Sequence, residues 1–122
     1  MTENLSIAVH ELKRAAEEIR RIEREANEAL FAQDDARTHR QKLQEKMMLL
    51  LELPETMVPF CEGVSENARR EIEKKLDSIA MRAERAMELS SIFFMNGLLY
   101  PDDYKEGDPN ELELFIERLQ AR

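Results

Sequence analysis

The sequence predicts an all-α fold. The expected architecture is a long antiparallel helical hairpin, coiled-coil-like, with a short C-terminal helix, two copies of which assemble into a four-helix type bundle. Three observations carry this. From Leu5 to Leu53 there is neither glycine nor proline. Across that stretch apolar residues recur at alternating spacings of three and four, the period of a helical seam. The whole chain of 122 residues holds only 3 glycines and 4 prolines, too few to punctuate a many-stranded sheet.

One domain is expected over residues 1–122. The first helix is expected over about 4–53. Leu5, Leu12, Ile19, Ala26 and Met47 form one row of its seam, and Ala8, Ala15, Ile22, Ala29, Ala36, Leu43 and Leu50 form the other. Thr2 or Asn4 caps its start, and Pro54 ends it by pushing Leu53 out of the helical region. At about 1.5 Å per residue this is a rod of roughly 70 Å. Its weak point is Gln33-Asp34-Asp35, where the first row turns polar, as it does again at Arg40.

Residues 54–64 read as the connection, with two prolines and a glycine. Met57, Val58, Phe60 and Val64 are too apolar for a solvated linker and are expected to plug the end of the bundle. A second helix is expected over about 65–99, capped by Ser65, with rows Ile72, Ile79, Ala86, Phe93 and Leu76, Ala83, Ser90, Gly97. A turn near Pro59 sets Ala29 and Ala36 opposite Ala83 and Ala86, where small side chains allow a close approach. An acidic loop follows over 100–108. The last helix, 109–121, is expected to start with Asp108 as cap, Pro109 at the first position and Glu111 at the third. Its stripe of Leu112, Phe115, Ile116 and Leu119 covers either Leu5, Leu12 and Ile19 or Phe93 and Phe94.

Catalytic chemistry has little to stand on. There is no glycine-rich phosphate loop, no Gly-x-Ser-x-Gly and no Cys-x-x-Cys. His10 and His39 are the only imidazoles, and each reads as a solvated surface residue. Glu-x-x-His pairs are absent, and the acidic loop lacks calcium-ligand spacing. The single cysteine, Cys61, reads as packing. No catalytic residue, metal or cofactor is therefore expected.

Charge and apolar breadth say more. The chain carries 18 basic and 26 acidic residues, net −8, which argues against direct nucleic-acid binding. Residues 1–36 are net −4 and residues 86–122 net −5, so a hairpin would gather both acidic segments at one end. The apolar runs, Met47–Leu51 and Ile92–Met95, are far shorter than the roughly 20 residues of a membrane span. With one cysteine and no signal-peptide pattern, a cytoplasmic location is expected.

Those two runs are apolar around most of the helix, wider than one hairpin partner covers. On a hairpin they lie roughly 40 Å apart along the rod. Two antiparallel hairpins would bring the Met-Leu patch of each against the Phe-rich patch of the other. The expected interaction surface is Met47, Met48, Leu51, Phe93, Phe94 and Met95, with Asp102, Asp103 and Glu106 on the acidic loop. The expected function is a non-enzymatic protein-interaction module, adaptor or chaperone-like, that pairs with itself and with another protein. The alternative is an acidic inhibitor occupying a basic groove of a nucleic-acid-processing partner.

Overall fold

A computed structural model describes residues 3–122, so the Thr2 cap lies outside the described residues. The elements are α1 (Glu3–Phe31), α2 (Ala36–Met57), a 3₁₀ turn (Val58–Cys61), α3 (Glu66–Glu88), α4 (Ile92–Gly97) and α5 (Glu111–Gln120). No strand occurs among the described residues, and no helix among them is long and apolar enough to cross a membrane. The all-α expectation stands. The hairpin does not.

The first expected helix is two helices folded against each other. Asp34 takes a left-handed backbone, φ 50°, and the Asp35 N–H reaches back to the Ala29 carbonyl at 2.8 Å. Asp35 then caps α2, accepting from the Thr38 N–H at 3.0 Å and the Thr38 hydroxyl at 2.6 Å. Short acidic side chains tolerate this geometry because they bond locally to the backbone. The polar weak point is therefore a tight turn, and α1 pairs with α2 rather than with α3.

The same logic corrects the other boundaries. Pro54 lies inside α2 and does not end it. An interior proline costs about 3 kcal/mol; here Leu53 and Met57, both buried on either side of it, hold the helix through that cost. Ser65 caps α3 as expected. The second expected helix, however, stops at Glu88, and the chain reverses through Ser90, φ 49°, before Ser91 caps α4. The last helix begins at Glu111, with Asn110 as its cap. The Asn110 side chain accepts from the Glu113 N–H while Glu113 accepts from the Asn110 N–H, a reciprocal capping box.

Each long helix runs antiparallel to its predecessor, and α5 closes the bundle by lying between α1 and α3. Arg20 of α1 holds Glu113 at 2.6 Å, Arg82 of α3 holds Glu111 at 2.5 Å, and Arg122 holds Glu71 at 2.5 Å. One chain thus supplies the four layers expected from two. Leu12, Ile19, Leu43, Met47, Leu50, Ile72, Leu76, Ile79 and Leu112 form a common core. Met57 and Val64 plug its base as expected, with Phe60 half-buried against it; Cys61 joins them, while Val58 faces outward. There the connection meets α1 closely: a Cβ on Gly63 would fall 2.6 Å from Asn4 Cγ.

The expected pairing of Ala29 and Ala36 with Ala83 and Ala86 falls with the hairpin, because Ala29 lies on α1, which packs on α2. Ala29, Ala83 and Ala86 are buried, but Ala36 is exposed because it opens α2 at the turn. Of the two alternatives for the last helix, α5 packs on α1 and leaves Phe93 and Phe94 uncovered.

Candidate protein-interaction surface

The site is built by α4, a six-residue helix bracketed by two left-handed residues that are not glycine, Ser90 at φ 49° and Leu99 at φ 82°. Such backbone costs roughly 1–3 kcal/mol per residue and persists only where surroundings impose it. On the entry side, the Ser91 hydroxyl accepts from the Phe94 N–H at 3.1 Å. On the exit side, the Leu98 N–H bonds the Phe94 carbonyl, and the Tyr100 N–H bonds that of Gly97, each at 3.0 Å. Leu99 lies buried and its carbonyl accepts from the Glu111 N–H at 2.9 Å.

Beneath α4 lies Lys46, a lysine with 0% exposure. Its ammonium donates to the carbonyls of Met95 at 3.1 Å, Asn96 at 3.3 Å and Leu98 at 3.0 Å. Glu23 Oε2 completes the surroundings of the ammonium as its ion-pair partner at 3.0 Å. The other oxygen of Glu23 accepts from the Tyr100 hydroxyl at 2.5 Å. The Tyr100 ring has two cations near it, its centroid 5.3 Å from Lys46 Nζ and 5.5 Å from the Arg20 guanidinium. Burial pulls the Lys46 ammonium below its ordinary value, and Glu23 opposes that. Burial and the neighbouring carboxylate together push the Tyr100 hydroxyl up.

Next to this cluster, with Tyr100 shared between the two, opens an apolar groove of about 980 Å³ between the end of α3, α4 and α5. Ala86, Leu89, Phe93, Phe94, Leu98, Leu99 and Leu114 line it. Phe93 is 80% exposed, Leu89 56%, Phe94 52% and Leu114 46%. The two phenylalanine rings meet edge to face at 5.6 Å. Arg82, Arg85, Arg118, Asp102, Glu111 and Glu117 form the rim. Arg82 is spent on Glu111, whose carboxyl it holds below the usual range.

The expected surface residues divide three ways. Phe93, Phe94 and Asp102 meet at the groove. Met47 and Met95 are core residues, at 0% and 1% exposure, so neither belongs to a surface. Met48 is exposed and Leu51 half-buried on α2, outside the groove. Asp103 and Glu106 are exposed on the loop but do not line it. Nor are the two apolar runs separated by 40 Å. The reversal at Ser90-Ser91 carries Met95 back onto Lys46, next to Met47, so each run covers part of the other.

The remaining expectations shift with the fold. The two acidic segments pack on each other, with α5 against α1, and arginines offset part of their charge, as in Arg21 between Glu18 and Glu25 and Arg20 beside Glu113. His39 is buried and not solvated, its Nδ1 paired with the Ala26 carbonyl at 2.9 Å across the α1–α2 turn. Cys61 is buried, which pushes its thiol up. Among the described residues no three His, Cys, Asp or Glu side chains come together as a metal site.

Sequence reading missed Lys46 and Tyr100 altogether. Both were silent for one reason: their partners come from distant parts of the chain. Leu89 and Leu114 carried a weak signal, as apolar residues off the seam of otherwise amphipathic helices. No family model, curated protein or solved structure matches the chain.

Proposed function

We propose that this protein is a non-enzymatic helical interaction module, adaptor or chaperone-like, that works as a homodimer joined across the α4 groove. The observation that carries the reading is the gathering of Leu89, Phe93, Phe94 and Leu114 on one concave face of an otherwise closed bundle. Large aromatics grouped in a groove mark an interaction surface more often than isolated exposed residues do.

A second copy is the occupant favoured by shape and charge. Phe93 projects beside the groove, so the face offers a knob and a hole to a copy turned by a twofold axis. The rim holds both signs: Arg85 and Arg118 stand with Asp102 and Glu117, and none of the four forms an ion pair among the described residues. A twofold partner brings arginine to carboxylate on each side. Met48, Asp103 and Glu106 stay outside this contact, available to another protein.

Sedimentation of the wild type and of Phe93→Glu with Phe94→Glu tests the reading. Each buried phenylalanine contributes about 1.5–3 kcal/mol, so the wild type should be dimeric at micromolar concentration and the variant monomeric with unchanged helicity. A monomeric wild type would remove the dimer. A variant that stays dimeric would move the interface elsewhere.

A further inference from the structure

We propose that Lys46 is the positioning residue of the docking surface, a buried latch that holds α4 between its two left-handed hinges and keeps the groove formed. The inference rests on the groove being the dimer face, and it concerns what makes that face exist.

Six residues are too few to stay helical by themselves. Of those in α4 only Met95 is buried, and Phe93 and Phe94 point away from the core. Apolar packing anchors α4 through Met95 and the half-buried Ile92, with Leu98 and Leu99 buried just beyond it. Its other anchor is electrostatic: the carbonyls of Met95, Asn96 and Leu98, around the negative end of the helix, converge on the Lys46 ammonium.

A methionine would fill a similar volume at position 46, but it would leave the buried carbonyls of Met95 and Leu98 without this donor. Only a flexible cation with three N–H groups meets carbonyls in so irregular an arrangement. Lys46 comes from α2, whereas the other groove walls come from α3 and α5, so it ties the α4 wall to a separate helix of the bundle. Glu23 supplies the compensating charge, and the Tyr100 hydroxyl fixes the orientation of that carboxylate.

The hinges give the latch something to restrain. Ser90 and Leu99 hold backbone conformations that serine and leucine leave when free. Release of the latch relieves both, swings α4 outward and separates Phe94 from Leu98 and Leu99, which line the same groove. The closed arrangement is one of two, biased by a single buried ion pair.

Amide hydrogen exchange on Lys46→Met combined with Glu23→Gln tests this, because the pair of changes removes both charges and strands neither. The amides of Met95, Leu98 and Tyr100 should exchange about tenfold faster or more, with those of α3 nearly unchanged, and the dimer dissociation constant should rise by about the same factor. Unchanged exchange at those three amides would overturn the latch. So would equal acceleration through every helix, which would make Lys46 an ordinary core residue.

If the wild type is monomeric, the dimer reading fails and the exchange measurement still decides the latch. If the double variant does not fold, Tyr100→Phe removes one hydroxyl from Glu23 and should speed the same three amides by a smaller factor. No acceleration there would overturn the proposal.

Discussion

The body of the bundle and its α4 end are held together by different forces. Where α1, α2, α3 and α5 meet, large aliphatic side chains such as Leu12, Leu50, Leu76 and Leu112 are wholly buried against one another. The backbone there is regular helix. At the α4 end, a lysine, a glutamate and a tyrosine occupy the interior, two non-glycine residues take left-handed backbone, and the largest apolar side chains face outward. Packing is cooperative and hard to undo piecemeal, whereas a polar clamp on a six-residue helix opens alone. The difference teaches that the large apolar side chains serve the interior in the body and face outward at the α4 end. Under the proposed function, the body sets how firmly the chain folds and the α4 end sets what it can hold.

The sharpest way to break that division is to damage the body. Leu76→Ala removes a side chain at 1% exposure in the middle of α3 and should cost about 2–5 kcal/mol. Denaturant unfolding should show one transition at a lower midpoint, with every helix lost together. A second, separate transition would mean the body is not one unit.

Overpacking comes next. Ala83→Leu, at a site with 0% exposure, should cost about 1–3 kcal/mol. Ala36→Leu on the exposed start of α2 should stay within about 0.5 kcal/mol of the wild type, as surface changes do. Equal thermal shifts from the two would show that the seam has been placed wrongly.

A smaller effect is expected at the turn that divides the first seam. Asp35→Ala deletes the cap of α2 and should cost about 0.5–2 kcal/mol. The smallest is at the α3–α5 ion pair. Because Arg82 lowers the Glu111 carboxyl, Glu111 contributes stability above the unfolded carboxyl value, lost as pH falls through the lower folded one. Acid titration monitored at α5 should show a loosening that Arg82→Gln reduces, at a cost near neutral pH of under about 1 kcal/mol for so exposed a pair.

How far these features were legible in the residues depends on what a periodic pattern encodes. The seam positions Leu5, Leu12, Ile19, Ile22, Leu43, Leu50, Ile72, Leu76, Ile79 and Ala83 are all buried, because helical spacing marks which face turns inward. It does not mark which neighbour covers that face. A rod paired with a second rod and a rod folded on itself bury the same residues, so the turn at Asp34-Asp35 left only a polar interruption as its trace. Ser90-Ser91 left less, two small polar residues that a helix interior tolerates.

The site was half legible for a related reason. Phe93 and Phe94 stood out by sheer apolar breadth, but Met47 and Met95 stood out with them and proved to cover each other. Lys46 could not be read at all. A lysine among apolar residues looks like a solvated position until Glu23, Tyr100 and three carbonyls from α4 and the residue just after it arrive around it.

The central claim is that the α4 face is a unit apart from the body and that a second copy covers it. Amide hydrogen exchange of the wild type at low micromolar and at near-millimolar concentration tests this most directly. The account predicts that protection of Met95, Leu98 and Tyr100 rises with concentration while that of α1, α2 and α3 stays constant. Protection at those three amides that is the same at both concentrations would contradict it.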